Sequence, residues 1–332
     1  MQQMGTVLVT GAAGFIGSHV VRHLLELGLA VVALDDLSGG FRDNVPGQAE
    51  WVHGSITDYE LLQQLFETHQ FDYVFHLAAY AAEGLSHFIR RFNYNNNLIG
   101  SVNLINLSVL HGIKCFVFTS SIAVYGAAKP PMTEEMTPQP EDPYGVAKYA
   151  VELDLHAAHT QFGLDYIIFR PHNVYGEHQN IGDKYRNVIG IFMNQILQGQ
   201  PLTVFGDGQQ TRAFSYIDDV APVIARSVFN PAAFGQIFNV GGDQPYTVNQ
   251  LAQEVCRVMG APQSAIVHLP PRNEVVHAFS SHAKVREYLD VPPPLPLADG
   301  LQRMAAWVQR VGSRQTSDFA NIEIPHGLPA GW

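Results

Sequence analysis

The chain predicts an α/β fold, a Rossmann-type doubly wound parallel sheet followed by a smaller mixed α/β lobe. Short, wholly apolar runs alternate with helical periodicity through the first half, as strands covered on both faces require. A glycine-rich turn joins the first strand to the first helix. After Arg170 the alternation breaks into polar loops and glycine turns. Two regions are therefore expected, residues 1–170 carrying the sheet and residues 171–332 forming a second lobe.

In order, Thr6 to Thr10 is an apolar strand, followed directly by Gly11-Ala-Ala-Gly14-Phe15-Ile16-Gly17 and a helix from Ser18 to Leu27 closed by Gly28. Strand, glycine turn and helix together make a phosphate cradle. Glycines let the backbone approach a pyrophosphate, and the helix N-terminus offers N–H groups at a positive dipole end. The next strand, Ala30 to Leu34, ends at Asp35-Asp36. A carboxylate there is placed to grip an adenosine ribose and to repel a 2′-phosphate, and the nearest arginine, Arg42, is seven residues on. The cofactor expected is NAD.

A strand from Glu50 to Gly54 leads to Ser55-Ile56 and a helix capped by Asp58. Asp72 to Leu77 is another strand, and the small Ala78-Ala79 at its end suits close approach of a flat ligand. Helical spacing runs from Ser86 to His111 with amides dense around Asn93 to Asn97. The strand Ile113 to Thr119 delivers Ser120-Ser121 to the same sheet edge. A proline-rich loop, 129–143, precedes a helix from Tyr144 to Phe162 ended by Gly163, and a strand from Leu164 to Arg170. Beyond it come a polar, mobile loop (178–186), a helix from Asn187, a short strand from Pro201 to Phe205, a turn at 206–208, a helix from Asp218, a strand Gln236 to Val240 and a helix capped at Thr247 or Asn249. A proline-rich connector (291–297) and an extension to Trp332 follow.

At 332 residues, 46% apolar and 15% charged, the composition is that of a soluble globular protein. A net charge of −11 disfavours nucleic acid and anionic membranes as partners. Cys115 and Cys256 lack metal-ligand spacing and read as reduced, buried residues of a cytoplasmic protein. Met1-Gln-Gln-Met has no charged n-region, and no apolar run approaches a membrane span. His19 and His23 stand four apart inside a helix with no carboxylate to complete a zinc-like set, so no metal is expected.

Tyr144 and Lys148 share one helical face. A phenol is about 3 pH units, or about 4 kcal/mol, from acting as a base at neutral pH. An ammonium about 4 Å away at an effective dielectric near 20 supplies roughly that much. Ser121 beside the same oxygen is placed to share a proton with a substrate hydroxyl. The glycine loop, Asp35, Ala78-Ala79, Ser121 and Tyr144 all fall on the carboxyl edge of the expected sheet.

Several motifs in fixed order carry a family resemblance: Thr10-Gly-Ala-Ala-Gly-Phe-Ile-Gly17, His76-Leu77-Ala-Ala79, Ser120-Ser-Ile-Ala-Val-Tyr-Gly126, Tyr144-Gly-Val-Ala-Lys148, Arg170-Pro-His-Asn-Val-Tyr-Gly176 and Phe205-Gly-Asp-Gly-Gln-Gln-Thr-Arg212. Over residues 5–310 the chain resembles an extended short-chain dehydrogenase/reductase of the nucleotide-sugar epimerase type, the UDP-glucose 4-epimerase group. The resemblance implies an NAD-dependent 4-epimerase and a homodimer paired through the helices at 93–111 and 144–162. By the same resemblance Tyr144 is the base, Lys148 holds the nicotinamide ribose and lowers the Tyr144 pKa, and Ser121 bridges to the sugar. The cofactor set it implies adds Gly11, Gly14, Phe15, Ile16, Gly17, Asp35, Asp36, Ser55, Ile56, Leu77, Ala78, Ala79, Asn97, Thr119 and His172. Asn173, Asn187 and Val188 match sugar-diphosphate contacts, Leu202, Thr203 and Phe205 the strand that holds the base, and Arg212 and Arg272 the diphosphate clamp. Local arginines let an acidic protein hold a polyanion. The substrate implied is a nucleoside-diphosphate sugar, with UDP favoured.

The chain departs from the pattern in places. Ser55 stands for an aspartate facing adenine, Ala81 for a lysine near the phosphates, and Pro171-His172 for an aromatic pair. Glu274 follows Arg272 one position early. Glu83 replaces a small or apolar residue beside the sugar, and is expected to hydrogen-bond a sugar hydroxyl and disfavour a uronic acid. A 4,6-dehydratase is the nearest enzymatic rival, but Ile122-Ala123 occupy the places of its Asp-Glu pair; a keto-sugar reductase is the other alternative.

Overall fold

The computed structural model describes residues 5–271, 275–314 and 319–329. Its first half alternates strand and helix. β1 (Thr6–Thr10), α1 (Phe15–Glu26), β2 (Ala30–Asp35), β3 (Glu50–His53), α2 (Tyr59–Thr68) and β4 (Tyr73–His76) come first. After a 3₁₀ turn at Gly84–Phe88, α3 (Arg90–Tyr94) runs through a π-helical turn (Asn95–Ile99) into α4 (Gly100–Leu110). β5 (Cys115–Thr119), α5 (Pro143–Phe162) and β6 (Tyr166–Pro171) follow.

Asp58 caps α2 as expected, accepting from Leu61 N–H. The helix expected from Tyr144 starts one residue earlier: Pro143 takes the first turn of α5, and Asp142, not expected as a cap, accepts from Gly145 N–H. Gly28 (φ 84°) and Gly163 (φ 77°) take the left-handed conformation just past α1 and α5. The segment expected as one helix from 86 to 111 is instead broken at Ile89 and widened at 95–99. The wide turn accompanies side-chain bonding to the backbone: Asn97 is bound to Tyr80, and Ser101 Oγ donates to the Asn97 carbonyl.

The second half supplies β7 (Val174–Tyr175), α6 (Val188–Leu197), β8 (Leu202–Phe205), β9 (Thr211–Ala213), β10 (Ser215–Tyr216) and α7 (Ile217–Arg226). Then come β11 (Gln236–Val240), β12 (Pro245–Thr247), α8 (Val248–Val258), β13 (Ile266–Leu269), β14 (His277–Ala278), α9 (Ala283–Tyr288) and α10 (Leu297–Val311). Of the two caps expected for α8, Thr247 is the one used, in a capping box with Gln250.

Among the described residues, the main sheet has the order β11-β6-β5-β4-β1-β2-β3, with every pair parallel. Strand alternation feeds two cores. Val7 and Val9 face one, with α1 and α7; Leu8 faces the other, with α2, α4 and α5. β11 lies beyond residue 170 yet forms the sheet's edge, and α7 packs on α1, so the sheet layer draws on both halves of the chain. Strand order reverses between β1 and β4, opening a crevice at their carboxyl ends. Three small sheets, β8 with β13, β12-β9-β14 and β7 with β10, stand over that edge.

Candidate active site

A cavity of about 1670 Å³ runs along the carboxyl edge of the sheet and continues under the small sheets. Gly11, Gly14, Phe15, Ile16 and Gly17 line one end, with Asp35, Asp36, Ser55, Ile56, Leu77, Ala78 and Ala79. The glycines are required by close approach. A Cβ on Gly11 (φ 70°) would lie 2.7 Å from Ala78 N, and one on Gly17 would lie 1.9 Å from the Gly11 carbonyl. Gly14 begins α1 without a side-chain cap, which leaves the first N–H groups of the helix to a ligand. Asp35 is buried. Its carboxylate accepts from Ala13 N–H (3.0 Å) and Leu37 N–H (2.7 Å), and burial raises its pKa. Arg42 stacks on Trp51 at 4.8 Å and donates to the Val45 carbonyl. The cradle therefore fits a dinucleotide, and a ribose without a 2′-phosphate.

Thr119, Ser121, Tyr144 and Lys148 line the same cavity. Thr119 ends β5, and its Oγ1 is buried with no hydrogen-bond partner among the described residues, a polar atom left to a ligand. Ser121 Oγ accepts from Ala123 N–H at 3.1 Å and hydrogen-bonds the Tyr144 phenol. Lys148 Nζ donates to the Thr119 carbonyl at 2.8 Å and lies 5.8 Å from the Tyr144 ring centre.

The expected electrostatics of this pair need correction. Burial pushes the Tyr144 phenol well above its ordinary pKa, and Glu83 and Asp142 push the same way, while the Ser121 bond opposes them. Burial pulls Lys148 down to about 7 against the attraction of Glu152. The bare chain thus favours a neutral phenol, because desolvation outweighs one ammonium that is itself desolvated.

Beneath Ser121 lies a buried charge network that sequence reading missed. Glu152, one helical turn past Lys148, accepts from Ser120 Oγ at 2.5 Å and is paired with Arg170 through Nε (2.9 Å) and Nη2 (2.5 Å). Arg170 Nη1 donates to Tyr125 OH at 2.7 Å, which donates to Asn239 at 2.9 Å on β11. The network pins the end of β5 to α5 and β6. The legible signal was the spacing, Lys148 and Glu152 on one helical face.

Asn97 does not line the cavity, contrary to the cofactor contact expected of it. Its amide binds Tyr80 N–H and C=O and Asn93, and Asn93 Nδ2 donates to the Pro143 carbonyl at 2.8 Å. It is a positioning residue, holding the segment after β4 against the start of α5. Asn96 takes the place on the wall. His172 lines the cavity and is buried; its Nδ1–H donates to the Ala213 carbonyl, and its Nε2 faces His282 Nε2 at 3.0 Å. Burial and His282 hold its pKa down near 3, so it stays neutral.

At the far end Asn173, Asn187, Val188, Thr203, Phe205 and Arg212 line the cavity. Asn187 caps α6, accepting from Ile189 N–H and donating to the Val174 carbonyl. Leu202 is turned into the core instead. Strand alternation that exposes Thr203 and Phe205 buries its side chain, which therefore does not face the cavity. The Arg212 guanidinium is held by the carbonyls of Thr211, Val275 and Val276. Arg272 and Glu274 lie outside the described residues.

Glu83 stands on the cavity wall at the start of the 3₁₀ turn, as its proposed contact with a sugar requires. The loop expected to be mobile is instead tied down. His178 Nδ1 meets Ser18 Oγ at 3.0 Å, His19 Nε2–H donates to the Glu177 carbonyl, and Arg186 pairs with Asp183 and stacks on Tyr80. From this loop Gln179, Asn180, Lys184, Tyr185 and Arg186 reach the cavity, none of them singled out from sequence. His19 is engaged there and, with Arg22 on its Nδ1, has no lone pair for a metal.

The model of the NAD dependent epimerase/dehydratase family matches residues 7–241. The chain belongs to this family. It is 35% identical to a UDP-glucose 4-epimerase of Mycolicibacterium smegmatis over 303 residues, covering 89% of this chain and 96% of the relative. The solved UDP-glucose 4-epimerase of Thermotoga maritima, with UDP-glucose, superposes with a TM-score of 0.88 at 34% identity, covering 92% of this chain and 99% of that one. A Thermus thermophilus UDP-glucose 4-epimerase in complex with NAD gives a TM-score of 0.85 at 30% identity, over 92% and 99% of the two chains. The family is NAD dependent, so NAD is the cofactor.

Proposed function

We propose that this protein is a nucleoside-diphosphate-sugar 4-epimerase with UDP-sugars as substrates. The observation that carries it is one continuous cavity joining the dinucleotide cradle, the Ser121–Tyr144–Lys148 group and Arg212. NAD, when bound, would supply the oxidant and the reductant for C4. The chain does the rest. Tyr144 takes the C4 hydroxyl proton and returns it, Ser121 relays it, and Lys148 holds the ribose and keeps the phenol's charge in balance. Arg212 and the residues around Phe205 hold the nucleotide while the sugar turns its other face.

The cavity wall directly after Ser121 is Ile122 and Ala123, so the Asp-Glu pair that a dehydratase carries at those positions is missing. The clasped loop at 177–186 favours a cofactor that stays bound, which separates an epimerase from a reductase. A homodimer is supported by exposed apolar side chains on the paired helices, Leu110 on α4 and Leu153 and Phe162 on α5. Two unpaired, buried cysteines suit the cytoplasm. Purified protein incubated with a panel of UDP-hexoses, with no cofactor added, is expected to yield the C4 epimer of at least one by NMR. Turnover that depends on added, consumed NADH would instead identify a reductase.

A further inference from the structure

The segment following α10 closes on the cavity from outside. The Phe319 ring packs edge-on to Phe92 at 4.9 Å and against Tyr80 at 5.4 Å. With Ile322 and Leu328 it covers the buried patch Ala82, Leu85 and Ile89. The Glu323 carboxylate accepts from Arg91 N–H (2.7 Å) and Phe92 N–H (2.8 Å). The helix starting at Arg90 has no side-chain cap of its own from Ile89, so these N–H groups are satisfied from more than 200 residues away. Glu323 N–H and Ile324 N–H both donate to the Phe88 carbonyl.

Beyond these anchors, Gly327 and Pro329 line the same cavity as Glu83, His87 and Phe88. That wall adjoins the reaction centre: Tyr144 N–H donates to Ser86 Oγ at 3.2 Å, and Ser86 Oγ donates to the Glu83 carbonyl at 2.6 Å. The anchors lie outside the cavity and the wall residues inside it. Removing an anchor therefore frees the wall without removing a reacting group.

We propose that residues 319–329 form a fixed wall at the sugar end of the cavity and set the size of sugar the site accepts. The inference rests on the epimerase reading. The wall stands beside Tyr144, where the sugar ring lies during reaction, so extra substituents on the ring meet it. Nucleotide binding at Arg212 and the dinucleotide cradle lie elsewhere along the cavity.

The test uses the full chain and three probes: UDP-glucose, UDP-N-acetylglucosamine and UDP-glucuronate. In the Phe319→Ala/Glu323→Ala double variant, kcat/KM for at least one bulkier sugar relative to UDP-glucose is expected to rise about tenfold, the scale on which a few pocket atoms discriminate. Pro329→Trp, which narrows the cavity from the wall itself, is expected to move the same ratio down. NAD content stays at the wild-type level in both. Ratios within about twofold of an active wild type in both variants overturn the proposal. Should the double variant not fold, Pro329→Trp decides alone. A wild type that epimerises none of the three would strike at the epimerase reading instead.

Discussion

Tyr144→Phe is expected to lower kcat by between about 10²- and 10⁴-fold, the range that a positioned acid–base group contributes. The hydroxyl is buried and bonded to Ser121, the residue that shares its proton in the proposed reaction. Removing one oxygen leaves the ring's packing intact, so NAD content and melting temperature stay close to wild type. The corrected electrostatics sharpen the expectation. The phenol is neutral in the bare chain, so its proton leaves only once the site is loaded, and a titration of free protein is expected to show no tyrosine ionising near neutrality. A Phe variant with kcat within about tenfold of wild type would remove Tyr144 from the role of base.

Glu152→Gln is expected to have the largest effect on stability. It leaves Arg170, fully buried, without its counter-charge, and breaking such a pair costs about 3–5 kcal/mol. For a chain of this length that corresponds to a fall of about 4–7 °C in melting temperature, read by calorimetry. The double variant Glu152→Leu/Arg170→Met is expected to lose less than the sum of the two single changes, because no buried charge is then left unpaired. Activity changes too. Glu152 is the group that raises the Lys148 pKa against burial, so without it Lys148 loses its proton at lower pH, and the alkaline fall in kcat begins earlier. Full additivity of the two single changes would mean that the pair is not coupled.

Much of this architecture could be read from residue patterns, because strand alternation, glycine turns and caps are local. The segments of β1, β2, β4 and β5, Gly28 and Gly163 after their helices, and Asp58 as a cap all follow from neighbouring residues. What depended on distant contacts was less legible. β11 reads as any apolar run, and only its pairing with β6 puts it in the main sheet. Leu202 and Thr203 are adjacent in sequence but their side chains face opposite ways, which a motif that names both does not show. Asn97 is bound by the backbone of Tyr80, seventeen residues earlier. The Tyr144–Lys148 spacing revealed the pairing but not the burial of both groups, and burial reverses the expected shift of the phenol. Nor could local pattern place residues 319–329 beside residues 80–92, since apolar contacts of that kind have no period.

The central claim is that C4 of the sugar is oxidised and reduced again by the same bound cofactor, with Tyr144 handling only the hydroxyl proton. UDP-glucose carrying deuterium at C4, incubated with the purified chain in ordinary water, tests this most directly. The account predicts that the galacto epimer forms with its C4 deuterium retained. Product in which that deuterium has been replaced by solvent hydrogen would contradict it.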